Sequence, residues 1–170
     1  ILPNNVNTKI RGIQSHGKNV HSICKGDRAA INLLNIKLEN FHRGSVIATP
    51  QTIKNTNKIA AKITMIKTTT WVLKHYQRLR LHFGTDEILG RAVIKNKKIF
   101  KKDQKGNIVL LLESEIPVSL DDKFVIRSYS PMNTIGGGIV LEPFVDNQHS
   151  NTHNLIDKIP LNPKERFFFL

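Results

Sequence analysis

Arg78, Arg80 and His82 alternate with Leu79, Leu81 and Phe83 in Gln77-Arg-Leu-Arg-Leu-His-Phe83. Successive side chains of an extended strand point to opposite faces, so this spacing sets two guanidiniums and an imidazole on one side and three apolar groups on the other. Such a row can bind anions, because a guanidinium is always charged and forks onto phosphate or carboxylate oxygens. Arg91 follows in Glu87-Ile-Leu-Gly-Arg91, and Lys95-Asn-Lys-Lys-Ile-Phe-Lys-Lys102 adds a basic loop. The competing reading is an ordinary solvated strand face.

Other reactive side chains do not assemble into a centre. Of the histidines (His16, His21, His42, His75, His82, His149 and His153), only His149 and His153 have a helical ligand spacing. Ser150, Asn151 and Thr152 between them make a poor helix, so no metal site is expected. Asp121-Asp122 reads as a turn between strands. Cys24 is the sole cysteine, which excludes an intrachain disulfide and a cysteine metal framework. It reads as a small buried or half-buried residue, in keeping with a reducing compartment. No Gly-x-x-x-x-Gly-Lys-Ser/Thr loop is present. Gly136-Gly137-Gly138 has no following lysine and runs into Ile139-Val-Leu141, so a tight turn between strands is expected. Asn57-Lys58-Ile59-Ala60 lacks the aspartate of a guanine-recognition segment. No catalytic residue is assigned.

The composition favours binding over catalysis. The 170 residues are 39% hydrophobic, with a mean hydropathy of −0.26, which suits one folded domain or two small ones. No apolar run approaches the roughly 18 residues of a membrane span. No basic segment followed by an apolar core marks a signal peptide. Lys and Arg number 26 against 13 Asp and Glu, for a formal net charge of +13. A polyanion is the natural partner, since cations gain free energy by releasing counterions condensed on phosphates. A lysine- and asparagine-rich codon bias is the bland source of the same charge. The chain opens on Ile1 without an initiator Met, so a longer parent is expected.

The elements that must position these residues read as β throughout. Strands are expected at Lys9–Ile13, Arg28–Leu33, Ser45–Ala48, Lys58–Met65, Gln77–Phe83, Asn107–Leu112 and Lys123–Arg127. Many short strands with turn signals between them argue for a barrel or sandwich. Pro50 to Asn57 reads as a linker, Lys95 to Gly106 as a basic hairpin loop turned by Gly106-Asn107, and Pro143 to His153 as a second linker. Asn162-Pro163 with Glu165 reads as a helix start.

Arg11-Gly-Ile-Gln14, Gly26-Asp-Arg-Ala-Ala-Ile-Asn-Leu33 and Phe41-His-Arg-Gly-Ser-Val-Ile47 resemble the later strands of domain 2 in translational GTPases, elongation factor Tu included. There Gly26 allows a turn, Ala29 to Leu33 enters the core, and Arg43-Gly44 turns the corner. Arg78-Leu-Arg-Leu-His-Phe-Gly-Thr85 with Glu87-Ile-Leu-Gly-Arg91, then Asp122-Lys-Phe-Val-Ile-Arg127 and Ser130-Pro131 to Gly138-Ile-Val-Leu141, is similar to domain 3 of the selenocysteine-specific elongation factor. The order is kept from Asn7 to Pro143. The resemblance implies an all-β chain of two tandem translation-factor β-barrels with a helix start behind them. Residues 1–50 would be the C-terminal part of the domain 2 barrel, without its opening strands. Residues 51–145 would be the domain 3 barrel, and 146–170 a linker toward a winged-helix region outside the chain.

The function implied by the resemblance is a share in binding selenocysteinyl-tRNA. With a GTPase domain outside this chain, the parent factor would deliver it to the ribosome at UGA codons and reach an mRNA hairpin through winged-helix domains. GTP and Mg²⁺ belong to that parent; no cofactor and no GTP hydrolysis are expected here. The compartment would be the cytoplasm or an organelle, with no membrane partner. Arg28 matches the position where this family places a basic residue in the aminoacyl pocket. A selenol is largely ionised at neutral pH, so a guanidinium there would favour selenocysteine over serine. The acidic residue that completes the pocket in the family precedes the matching region. Arg78, Arg80, His82, Arg91 and Lys95 become the candidates for tRNA backbone contact, which would recognise shape without reading bases. A general carrier of the elongation factor Tu type and a basic RNA-binding β-barrel module are the alternatives.

Overall fold

The structure is a computed structural model and describes residues 1–95, 99–143 and 158–167. Its strands are β1 (Ile10–Ser15), β2 (Lys18–Val20), β3 (Ala30–Leu33), β4 (Asn55–Met65), β5 (Leu73–Lys74), β6 (Arg78–Phe83), β7 (Asp86–Val93), β8 (Ile99–Phe100), β9 (Lys105–Pro117), β10 (Lys123–Ser128) and β11 (Thr134–Glu142), followed by the short helix α1 (Pro163–Phe167). The all-β reading holds. The first three strands form an open antiparallel sheet in the order β2-β1-β3, and β5 pairs with β8. The remaining six close into a barrel in the order β10-β11-β4-β9-β7-β6.

The barrel closes because each strand carries an apolar face that is buried when the sheet curls on itself and all six meet. Ile59, Ala61, Ile63 and Met65 of β4 point inward with Leu79 and Leu81 of β6 and Ile108 and Leu110 of β9, all essentially inaccessible. Each such leucine or isoleucine contributes about 1.5–3 kcal/mol by leaving water. Closure runs through β10 and β6, where Phe124 pairs with Phe83 and the two rings stack at 4.8 Å. It also removes the exposed strand edges that an open sheet would present.

Several expectations change. Gly136, Gly137 and Gly138 are not a turn but the middle of β11, paired with Ile126, Val125 and Phe124 of β10. The reason is space. A Cβ on Gly136 would lie 2.7 Å from the Thr64 carbonyl oxygen, and one on Gly138 would lie 2.5 Å from the Phe124 ring. Gly106-Asn107 likewise lies inside β9, with Gly106 beneath the Phe100 ring, and the turn falls earlier, at Lys101–Gln104. β4 begins at Asn55, inside the segment read as a linker. The segment Ser45–Ala48 forms one bridge, Leu2 with Val46, instead of a strand. Ala29, Ile31 and Leu33 are only half-buried, because the sheet β2-β1-β3 has no second layer over them among the described residues. Cys24 is exposed. It opens a turn in which the Asp27 carboxylate accepts from the Cys24 amide at 2.7 Å, with Gly26 at φ +102°.

Of the expected second linker, only Pro143 is described. The helix start holds: Asn162 Oδ1 accepts from the Lys164 amide at 3.0 Å. The segment 158–167 returns to the barrel. Ile159 packs on Ala60, Val109 and Leu141, which point outward from β4, β9 and β11. Arg166 is buried and donates to Asp121 Oδ1 at 2.5 Å and to the carbonyls of Val140, Leu141 and Leu161. Asp121 does stand in a turn, at φ +66°. Among the described residues no helix is long and apolar enough to cross a membrane.

Candidate nucleic-acid interface

The alternation in β6 places Leu79 and Leu81 in the barrel and Arg78, Arg80 and His82 on its outer wall, as the spacing requires. Strand register supplies the neighbours. Arg80 lies opposite Arg127 of β10 and Leu89 of β7, Arg78 opposite Arg91, and His82 opposite Val125 and Glu87. Two pairs of arginines therefore face each other across adjacent strands, an arrangement that is unfavourable unless countercharge is supplied.

Glu113 and Glu87 supply it. Arg78 donates from Nε and Nη2 to the two oxygens of Glu113 at 2.7 and 2.6 Å. Arg80 donates through Nη1 to Glu87 and through Nε to the Tyr129 carbonyl at 3.2 Å. The bonds from Arg78 hold the Glu113 carboxyl below the ordinary glutamate value, and those from Arg80 do the same for Glu87. The Arg78 guanidinium is raised in turn by Glu113. Both guanidiniums also lie on the exposed Tyr129 ring, Arg78 at 4.7 Å and Arg80 at 5.2 Å from its centroid. His82 Nε2 is enclosed and stands 3.7 Å from Glu87, too far for a hydrogen bond. Arg127 donates to the Met132 carbonyl at 3.0 Å.

The face so built is a platform of arginines around one tyrosine, with its charge partly balanced. Of the candidates read from sequence, Arg78, Arg80, His82 and Arg91 share it, and Arg91 also donates to the Tyr76 carbonyl at 3.3 Å. Lys95 is exposed but lies past the end of β7, four residues beyond Arg91. Asn96, Lys97 and Lys98 of the basic loop, and His149 and His153, lie outside the described residues. Arg28 stands elsewhere, exposed just ahead of β3, with its carbonyl accepting from the Ser15 hydroxyl at 3.0 Å. The apolar groove beside β3, lined by Ile31, Leu33, Phe41 and Ile47, does not include it. Among the described residues no group of three His, Cys, Asp or Glu is placed to hold a metal.

Sequence reading missed Glu87, Glu113, Tyr129 and Arg127 as members of this face. Glu87 was within reach of it, since a two-residue connection at Gly84-Thr85 sets Glu87 opposite His82. Glu113 on β9 and Tyr129 just past the end of β10 arrive from far along the chain, and no local spacing announces them.

Residues 59–147 match the family model of the selenocysteine-specific elongation factor, β-barrel domain. The chain belongs to that family. It is 27% identical over 143 residues to a selenocysteine-specific elongation factor of Desulfomicrobium baculatum, covering 84% of this chain and 23% of that protein. It is also 22% identical over 145 residues to elongation factor Tu 2 of Streptomyces avermitilis, covering 82% of this chain and 36% of that protein. The chain thus spans about a quarter to a third of the curated relatives it matches. The matched residues take in the six-stranded barrel from within β4 onward, the same body that carries the arginine face.

Proposed function

We propose that this chain forms part of the tRNA-binding body of a selenocysteine-specific elongation factor, and that the outer wall of its closed barrel meets the RNA backbone. The observation that carries this reading is the pair Arg78 and Arg80 on the Tyr129 ring, with Arg91 opposite Arg78, on the barrel matched to the family. Guanidiniums held in a fixed fork suit phosphate oxygens, and an exposed aromatic ring offers a ribose or base a surface to stack on. Such contacts recognise the shape of an RNA stem and carry no base code. The cargo in this reading is selenocysteinyl-tRNA, delivered to the ribosome at UGA with GTP and Mg²⁺ bound by a separate GTPase domain. This chain contributes binding, not hydrolysis. Arg28 serves the aminoacyl end, through the attraction of its guanidinium for a selenolate.

The experiment is a binding series with the 170-residue chain, comparing tRNA with an unrelated structured RNA of equal length at several salt concentrations. Tighter binding of tRNA that weakens as salt rises supports the proposal; equal binding of both RNAs favours a general basic module, and salt-independent binding rejects phosphate contact. The similarity to elongation factor Tu 2 supports a second reading, a general aminoacyl-tRNA carrier. Arg28→Ala in the complete factor separates the two: the first reading requires lost preference for selenocysteinyl-tRNA over seryl-tRNA.

A further inference from the structure

The arginines best placed to grip phosphate are already gripping something else. Arg78 spends the Nε and Nη2 edge of its guanidinium on Glu113, and Arg80 is bonded to Glu87 through Nη1. Bidentate carboxylate and phosphate compete for the same donors with the same geometry. Both glutamates are partly exposed, with side-chain accessibilities of 39% and 40%, so an incoming anion can reach the pairs without unfolding the barrel. Tyr129 lies under both guanidiniums and keeps them on the wall, whichever anion they hold.

We propose that Glu87 and Glu113 act as built-in competitors of RNA phosphate: each occupies donors of one arginine on this face and must be displaced for those donors to meet RNA phosphate. The inference rests on the RNA-binding reading of this face. The effect is selectivity. A stray phosphate reaching one arginine gains little, because it breaks an ion pair to make one. An RNA stem whose phosphates reach Arg78 and Arg80 together, with Arg91 beside them, recovers that loss through several simultaneous contacts. The glutamates therefore suppress weak polyanion binding more than they suppress binding of a matched stem. They also hold the forks in place while no RNA is bound, so the arginines avoid the mutual repulsion that their register imposes.

The test uses the 170-residue chain, a fluorescently labelled RNA stem-loop as probe, and a heparin fragment as a polyanion of unmatched shape. Glu113→Gln and Glu87→Gln keep size and one acceptor oxygen but remove the charge and the second acceptor. Each is expected to tighten RNA binding roughly fivefold near about 0.1 M salt, the worth of one exposed ion pair no longer broken. Heparin affinity should rise by a larger factor. The gain from Glu113→Gln must vanish in an Arg78→Gln background, which ties it to that pair and not to net charge. Unchanged or weaker RNA binding in both glutamine variants, with the parent still binding in a salt-dependent way, overturns the inference and leaves the RNA reading intact. A gain that persists without Arg78 overturns it as well. A parent chain with no salt-dependent RNA binding overturns both. Matching thermal unfolding of parent and variants guards against loss of fold as the cause.

Discussion

Arg78 on β6 bonds Glu113 on β9 although β7 lies between them: the guanidinium reaches over the intervening strand and meets both carboxylate oxygens at 2.7 and 2.6 Å. The residue beside it on β7 is Arg91, so the pair neutralises a spot where two cations face each other. The same logic repeats one step along β6, where Arg80 faces Arg127 and takes Glu87 as its partner. A face that looks simply basic in sequence is a lattice of alternating charge in the fold.

The acid response follows from these pairs. Glu87 and Glu113 are both held below the ordinary glutamate value in the folded chain, by the hydrogen bonds from Arg80 and Arg78. A carboxyl depressed by folding stabilises above its unfolded value, near about 4.3, and this contribution is lost as pH falls through the folded value. Urea unfolding followed from pH 7 downward should therefore show stability falling below that unfolded value. Glu113→Gln and Glu87→Gln should each flatten this part of the profile. Profiles of the same shape in parent and variants would exclude the pairs as its cause.

The glycine run of β11 can be checked against a control in the same chain. Gly138→Ala pushes a Cβ to within 2.8 Å of the Lys62 carbonyl oxygen and into the Phe124 ring, and backbone cannot step aside as a flexible side chain can. The expected cost is about 1–3 kcal/mol. Gly12→Ala in β1 meets no heavy atom within 4 Å, so it should change stability by less than about 0.5 kcal/mol. Denaturant midpoints of the two variants give the comparison; equal losses would mean that space is not what keeps glycine in β11.

Tyr129 offers a third test. Its ring carries Arg78 and Arg80 at 4.7 and 5.2 Å, and a cation over an aromatic face contributes about 0.5–2 kcal/mol. Tyr129→Phe keeps the ring and should leave both stability and RNA affinity close to the parent. Tyr129→Ala should lower both, the affinity because two arginines lose the surface that orients them. A phenylalanine variant as weak as the alanine variant would point to the phenol oxygen instead of the ring.

Local pattern made some of this legible and not the rest. Leu79, Leu81 and the cations between them show a period of two, and that period is imposed by strand geometry wherever the strand goes. β6 could be read for that reason, whereas β7, with Gly90 in its middle, was not among the expected strands. The triple glycine was misread because a turn and a crowded strand both demand glycine; only the positions of Thr64 and Phe124, remote in sequence, separate the two. Ala29 to Leu33 was expected to enter a core from the resemblance to domain 2, but burial needs a second layer, and among the described residues none covers it. The arginine row was visible, whereas Glu113 and Tyr129 reach it only through the closure of the barrel.

Arg166 lies buried, yet its partner Asp121 is about half exposed, and the bond between them ties the segment 158–167 to the turn before β10. Three further bonds to carbonyls satisfy most of the guanidinium, and Nε is enclosed without a partner. Removing the countercharge leaves the cation in place, whereas removing the cation removes the need for a countercharge. Asp121→Asn keeps a residue type that accepts the left-handed turn at this position and should cost about 1–3 kcal/mol. Arg166→Met fills similar space with an apolar chain, leaves no enclosed Nε, and should cost less. Hydrogen exchange at residues 158–167 is the sensitive readout, because a segment held by Ile159 and one arginine can open while the barrel stays closed. Faster exchange in Asp121→Asn than in Arg166→Met would show that the ion pair matters chiefly as compensation for a buried charge. The reverse order would show that the arginine itself fastens the segment through its carbonyl bonds.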